Sequence, residues 1–234
     1  YLLLVYCSYY IIKLIWLTFM FAGILSKPDV FHLSGLIKFS VLGSSSMFFL
    51  LGLTGMLGSR IDQYIVAYYL PKDALGSYQV LKNFLLYFQS VAVFMVFPFV
   101  KNIYRLNDES LNKLNKLMIL SGIVIIIPAV ILFWIILNYI YKLSFSVDVY
   151  LLSGLFILPS FFYLISVYRL FKYKKEKIVL FVNLICISVS LILSLILLPS
   201  FGITGCLIAG TVSGWITVLL NFIYDRFANL KTIS

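Results

Sequence analysis

The chain has 234 residues, of which 63% are hydrophobic and 11% charged, and its mean hydropathy is +1.09. A soluble domain of this length cannot hide that much apolar surface, and the apolar residues come in continuous runs rather than in alternation, which selects membrane helices over a transmembrane barrel. The net charge of +10 is of the kind that nucleic-acid binders carry, but the basic residues sit between the apolar runs, where topology and anionic lipids account for them; no nucleic-acid partner is expected.

Seven runs reach the roughly 20 residues needed to cross a bilayer, so the expected fold is all-α, a polytopic bundle of about seven transmembrane helices. The first run, Tyr1–Leu25, opens without Met, a basic segment or a small-residue cleavage site. It therefore reads as a spanning helix rather than a signal peptide, and the chain as the C-terminal part of a longer protein. Residues 26–34 form a connecting loop that holds His32, the one histidine. Without partners, His32 reads as an interfacial loop residue. The second run covers about Gly35–Leu70, the third Ala74–Asn102, the fourth Lys113–Tyr141, the fifth Asp148–Phe171, the sixth Lys177–Leu198 and the seventh Gly202–Tyr224. A short tail, 227–234, follows.

The connections alternate in charge. Those after the first, third and fifth runs, together with the tail, carry Lys27, Lys38, Lys101, Arg105, Lys113, Lys116, Arg169, Lys172, Lys174, Lys175, Lys177, Arg226 and Lys231. The others carry only Lys72 and Lys142. The positive-inside rule puts the first set, and with it the C-terminus, in the cytoplasm. The basic stretch Arg169–Lys177 reads as a topology signal at the lipid headgroups, with a specific lipid site as the other reading.

Within the runs, Pro98, Pro128 and Pro159 each remove a backbone hydrogen bond and are expected to kink their helices, while Pro71 and Pro199 open turns. Small residues cluster at Gly43–Ser46, Gly52, Gly55 and Gly58, and again at Cys206, Gly210 and Gly214, which predicts close helix packing within the bundle. Cys7, Cys186 and Cys206 all fall inside apolar runs and read as small hydrophobic residues rather than a disulfide or metal set. No cofactor or metal is expected.

Four charges lie at depth, where they are costly unless they face a partner or a cavity: Lys13, Arg60, Asp62 and Lys82. Asp62 lies eight residues before Leu70 and Lys82 eight after Ala74, which puts both about 12 Å below the intervening turn at 1.5 Å per residue. On antiparallel neighbours the two can meet. Arg60, two residues from Asp62, points to another side of the helix, either snorkelling outward or lining a cationic cavity for an anionic substrate. Lys13 sits near mid-depth, which favours a cavity. Of the acids, only Asp62 is expected within the membrane. Asp108 and Glu109 are expected to favour the N-terminus of the fourth helix. With no carboxylate pair at depth and no large external loop, the chain does not read as an enzyme.

The segment Gly58-Ser-Arg-Ile-Asp-Gln-Tyr-Ile-Val-Ala-Tyr-Tyr-Leu-Pro-Lys-Asp-Ala-Leu-Gly-Ser-Tyr78 resembles the start of the second lobe of Wzx-type polysaccharide flippases, where an Arg-x-Asp near the outer end of a helix precedes a short turn and Leu-Gly-x-Tyr. Phe201-Gly-Ile-Thr-Gly-Cys-Leu-Ile-Ala-Gly210 is similar to that family's glycine-rich approach to its last helix. The resemblance covers about Ser34–Phe227. It implies a superfamily shared with multidrug exporters and lipid II flippases, with two six-helix lobes around a central cavity. On that reading 1–25 is the last helix of the first lobe, 26–34 a cytoplasmic loop and 35–226 the second lobe. Arg60, Asp62, Gly76 and Tyr78 fall on motif positions; Gly210 and Gly214 read as packing positions; Lys13 and Lys82 are nominated from charge and depth alone.

The implied activity is transfer of an undecaprenyl-diphosphate-linked oligosaccharide across the bacterial cytoplasmic membrane by alternating access. The implied partners are that lipid-linked oligosaccharide, membrane lipids, a polysaccharide polymerase and glycosyltransferases. The alternatives are a cation-coupled drug or metabolite antiporter of the same superfamily and, further off, a membrane-embedded polysaccharide polymerase or ligase.

Overall fold

The computed structural model describes Ile12, Lys13, Ile15, Trp16 and residues 39–230. Among these the chain is helical throughout, with no strand. It divides into two compact units, Tyr1–Phe48 and Phe49–Ser234. In the first, Ile12, Lys13, Ile15 and Trp16 are helical and exposed; the rest of the expected first helix, the loop 26–34 with His32, and Cys7 lie outside the described residues, as does the tail from Lys231.

The second unit is built from hairpins. Helix α1, Phe39–Tyr69, ends at Leu70 and Pro71, where the extended Pro71 (φ −62°, ψ 158°) caps helix α2, Lys72–Val96. Proline suits this place because the first turn of a helix needs no amide donor there. Pro98 acts as expected: it turns α2 into a 3-10 segment, Phe97–Phe99, before one more α-turn, Val100–Ile103.

Helix α3, Asp108–Ile135, begins five residues earlier than the apolar run suggests. The cause is local. Asn107 caps it by accepting from the Ser110 amide at 3.0 Å, and Asp108 and Glu109 occupy the first turn, where acids complement the helix dipole. Pro128 does not break α3. Beyond Ile135 the helix widens into a π turn, Ile136–Ile140. Pro159, in contrast, splits its run. Helix α4, Val147–Ile157, and helix α5, Pro159–Lys172, meet at Leu158.

Helix α6, Glu176–Leu230, contains a residue outside helical geometry, Gly202, at φ 56° and ψ −137°. That conformation is essentially reserved for glycine. It folds α6 into two arms, 176–201 and 203–230. A straight helix would hold Cys186 and Ser213 about 40 Å apart, yet the Ser213 hydroxyl donates to the Cys186 carbonyl at 2.7 Å. The reversal is tight: a Cβ on Gly205 would lie 2.5 Å from the Leu197 carbonyl oxygen.

Four helices among the described residues are long and apolar enough to cross a membrane: Lys72–Ile103, Asp108–Ile140, Val147–Lys172 and Glu176–Asp225, the last being the folded α6. These four helices do not establish the expected seven crossings. The core is apolar and aromatic, with Phe133 at 6.1 Å from Phe84 and 6.0 Å from Tyr150. The outside is apolar too: Leu117, Leu120, Val124 and Ile127 of α3 are all more than half exposed. A surface of that kind is compatible with a lipid environment.

Candidate functional site

A cavity of about 540 Å³ opens between α1, α2, the α4–α5 junction and both arms of α6. Each wall follows from helical spacing. Helix α2 contributes Lys82, Leu86 and Gln89, at i, i+4 and i+7. The first arm of α6 contributes Val179, Asn183, Cys186 and Ser190, and the second Gly210, Ser213, Gly214 and Thr217. Helix α1 presents Gly52, Thr54, Gly55, Gly58 and Ser59. The expectation that the α1 glycines bring helices into contact is therefore corrected for Gly52 and Gly55: a Cβ on either would meet nothing within 4 Å. Their missing side chains leave room for the cavity. The α6 glycines do pack closely, with a Gly210 Cβ position 2.6 Å from the Phe156 ring and that of Gly214 3.2 Å from Pro159.

The charge on the cavity wall is Lys82. Its ammonium lies 2.5 Å from Asp62 Oδ2, and both side chains are 4% exposed. The pairing predicted from matched depth across the α1–α2 turn is present. The same carboxylate oxygen accepts from the Tyr78 hydroxyl at 2.6 Å, and Oδ1 accepts from the Gln63 backbone N–H at 2.9 Å. Tyr78 and Lys82 are one turn apart on α2, so one face delivers both to Asp62. On its other side Lys82 stands over the Phe156 ring, 4.5 Å from its centroid, an additional stabilisation for a desolvated ammonium.

The Pro159 break completes this arrangement. Without the regular helical hydrogen bond at the junction, the Phe156 carbonyl accepts from the Gln89 side chain at 3.0 Å. Phe156 is thus held from α2 at its backbone and faces Lys82 with its ring.

The other nominated residues lie elsewhere. Arg60 is exposed, and its guanidinium donates to Gln63 Oε1 at 3.1 Å. It is not on the cavity wall, because two residues along a helix is more than half a turn and Asp62 takes the inward position. Gly76 is exposed with open space around it. Lys13 is exposed in the first unit. Cys186 and Cys206 are buried free thiols, as expected of small hydrophobic residues; Thr217 donates to Cys186 Sγ at 3.0 Å.

A second buried ion pair was not foreseen. Arg169 of α5 reaches Asp225 Oδ2 of α6 at 2.7 Å, with side chains 6% and 8% exposed, and donates to Asn112 Oδ1 of α3 at 2.6 Å. One expectation is corrected here. Arg169 is part of the bundle interior rather than a headgroup signal, and Asp225, like Asp62, is a buried acid. Position on the helix is the reason: Ser166, Arg169 and Tyr173 recur at three- and four-residue spacing on the face of α5 turned to α3 and α6.

Lys172 is also engaged, donating to the Leu106 carbonyl at 2.6 Å, whereas Lys174 and Lys177 are exposed. At the same end Tyr173 donates to Asp108 at 2.6 Å. Desolvation, helped by the Asp108 carboxylate it bonds to, pushes the Tyr173 phenol up to about 12. The signal for this region was present in the spacing of Ser213, Thr217, Asn221 and Asp225, four residues apart along α6. Among the described residues no group of three or more His, Cys, Asp and Glu is placed to hold a metal ion.

No family model, curated protein or solved structure matches this chain.

Proposed function

We propose that this protein is a multi-pass transporter that moves an undecaprenyl-diphosphate-linked oligosaccharide across the bacterial cytoplasmic membrane, with the cavity of the second unit as part of its substrate path. The observation that carries this reading is a cavity whose largely apolar wall is set with hydroxyls, amides and one ion-paired lysine, inside helices whose outer faces are apolar. Hydroxyl and amide groups such as Ser160, Tyr163, Asn183 and Ser190 match the hydrogen-bonding needs of a sugar. Lys82 is the cation available to a diphosphate, and Asp62 and Tyr78 hold it in place until then.

On this reading the second unit is a second lobe, the crossings number seven, and the basic end of the bundle with the C-terminus faces the cytoplasm. The resemblance of Gly58–Tyr78 and Phe201–Gly210 to the flippase family supports the substrate class. Arg60 no longer contributes to it.

The antiporter alternative has a specific point in its favour. With Arg60 off the wall, one acid faces one base at the cavity, so a cationic substrate is not repelled by excess positive charge. Surface polysaccharide, measured per unit of inserted protein in a strain lacking its own copy, tests the proposal. Lys82→Gln should abolish most of it while membrane abundance stays near normal, and Arg60→Ala should leave it near wild type. Full surface polysaccharide with Lys82→Gln would remove the cavity from the path. Normal polysaccharide in cells lacking the protein, together with drug sensitivity, would favour the antiporter.

A further inference from the structure

Below the cavity a second polar system runs towards the end of the bundle that holds Asp108 and Tyr173, and transport as proposed makes no use of it. Ser213 and Thr217 line the cavity. Asn221 and Asp225 continue the same face of α6 at the same four-residue interval and are 1% and 6% exposed. Arg169, 5% exposed, meets Asp225 from α5, and Asn112 meets Arg169 from α3. Asn115 lies one turn from Asn112 on α3. Four polar atoms buried in this region have no protein partner: Asn221 Oδ1, Arg169 Nε, Asn115 Oδ1 and Asp225 Oδ1. The Asn221 amide nitrogen is already spent on the Thr217 carbonyl, 2.9 Å away.

Buried polar groups are almost always hydrogen-bonded, and an unpaired one is costly. The chemistry of these four atoms selects what satisfies them. Three are acceptors, one of them a carboxylate oxygen, and one is a guanidinium donor. A cation would suit the oxygens but meets the Arg169 guanidinium, and an anion would suit Arg169 but not the three oxygens. Water both donates and accepts, and typically makes about three bonds at such sites.

We propose that Asn221, Arg169 and Asn115 form a buried water-binding site, and that the stripe Ser213, Thr217, Asn221 and Asp225 carries water between the cavity and the Asp108–Tyr173 end of the bundle. The fixed charge of Arg169 along this path disfavours cations. The inference does not depend on what the cavity transports.

Two measurements on the full chain test it. Asn221→Leu keeps the volume and removes the amide. In a dry interface that substitution deletes an unpartnered polar group and raises the thermal unfolding midpoint; in a hydrated site it evicts water from Arg169 and Asn115 and lowers it. We expect the lower midpoint. Separately, Asn221→Cys is placed in a background with Cys7, Cys186 and Cys206 replaced by Ala. It should react with the anionic 2-sulfonatoethyl methanethiosulfonate at least about tenfold faster than Leu207→Cys in the dry core, because a thiol needs water to ionise. It should also react faster with that reagent than with a trimethylammonium analogue. A raised midpoint for Asn221→Leu overturns the proposal, and so do equal rates at positions 221 and 207.

Discussion

Among the described residues two ion pairs are buried, and they are built differently. Asp62–Lys82, beside the α1–α2 turn, is complete within the protein: one carboxylate oxygen takes Lys82 and Tyr78, the other takes the Gln63 backbone N–H, and an aromatic ring covers the ammonium. Arg169–Asp225, at the opposite end of the cavity, joins three helices but leaves Arg169 Nε, Asp225 Oδ1 and the neighbouring Asn221 and Asn115 oxygens unpaired. The first pair holds its geometry without solvent. The second has remaining bonding capacity that no protein group fills, and water is the partner that fits. Burial alone therefore does not say what a charge pair is for; the count of its remaining bonds does.

The sharpest way to break this contrast is to remove one partner from each pair. Asp62→Ala leaves Lys82 buried and uncompensated and should cost on the order of 3–5 kcal/mol, read as thermal unfolding in detergent. The double variant Asp62→Leu with Lys82→Met should recover most of that loss. Additive losses in the double variant would show that the pair is not coupled.

Arg169→Met should cost less, about 1–3 kcal/mol, because water in the proposed site would solvate the Asp225 carboxylate. A loss as large as that of Asp62→Ala would erase the distinction drawn between the two regions.

Gly210→Ala sharpens the comparison from the side of the ring. Its methyl would meet Phe156 at 2.6 Å, so the ring must shift from Lys82. We expect about 1 kcal/mol of destabilisation, from crowding and a weakened cation–π contact together. The shift should disappear in the Lys82→Met background to the extent that the contact carries it. An unchanged unfolding midpoint for Gly210→Ala would mean that Phe156 adapts without affecting the pair.

The smallest effect is at the Arg169 end. Tyr173 titrates at about 12 in the folded chain against about 10 when unfolded. The folded state therefore holds the proton more tightly, and the stabilisation is full below pH 10 and lost as pH rises through 12. Tyr173→Phe should flatten the decline in unfolding midpoint over that interval. The same decline in the variant would assign it to other groups.

Much of the local structure is legible in the chain. Apolar runs place the helices, Asp108 and Glu109 occupy the first turn of α3, and Pro98 and Pro159 mark real interruptions, while the reversal expected at Pro199 falls at Gly202. These features depend on nearest neighbours along the sequence. Asp62–Lys82 is legible for a related reason. The partners are 20 residues apart in one hairpin, so a short turn and a constant rise per residue match their depths. Pro128 shows the limit of the rule, since α3 runs through it.

What escaped is of another kind. Arg169 and Asp225 are 56 residues apart, on elements whose relative placement no local rule supplies, and a basic run beside an apolar helix looks the same whether its arginine faces headgroups or a carboxylate. The cavity escaped for the same reason. Gly52 and Gly55 could have meant contact or space, and only the position of α6 across from them makes them space. The residues along the chain settle which segments are helical, where they stop and which charges must find partners, because backbone hydrogen bonding and desolvation act locally or on each group alone. Which partners those charges find, and whether a small residue closes a gap or opens one, depends on how distant helices pack, and packing is a property of the assembled bundle.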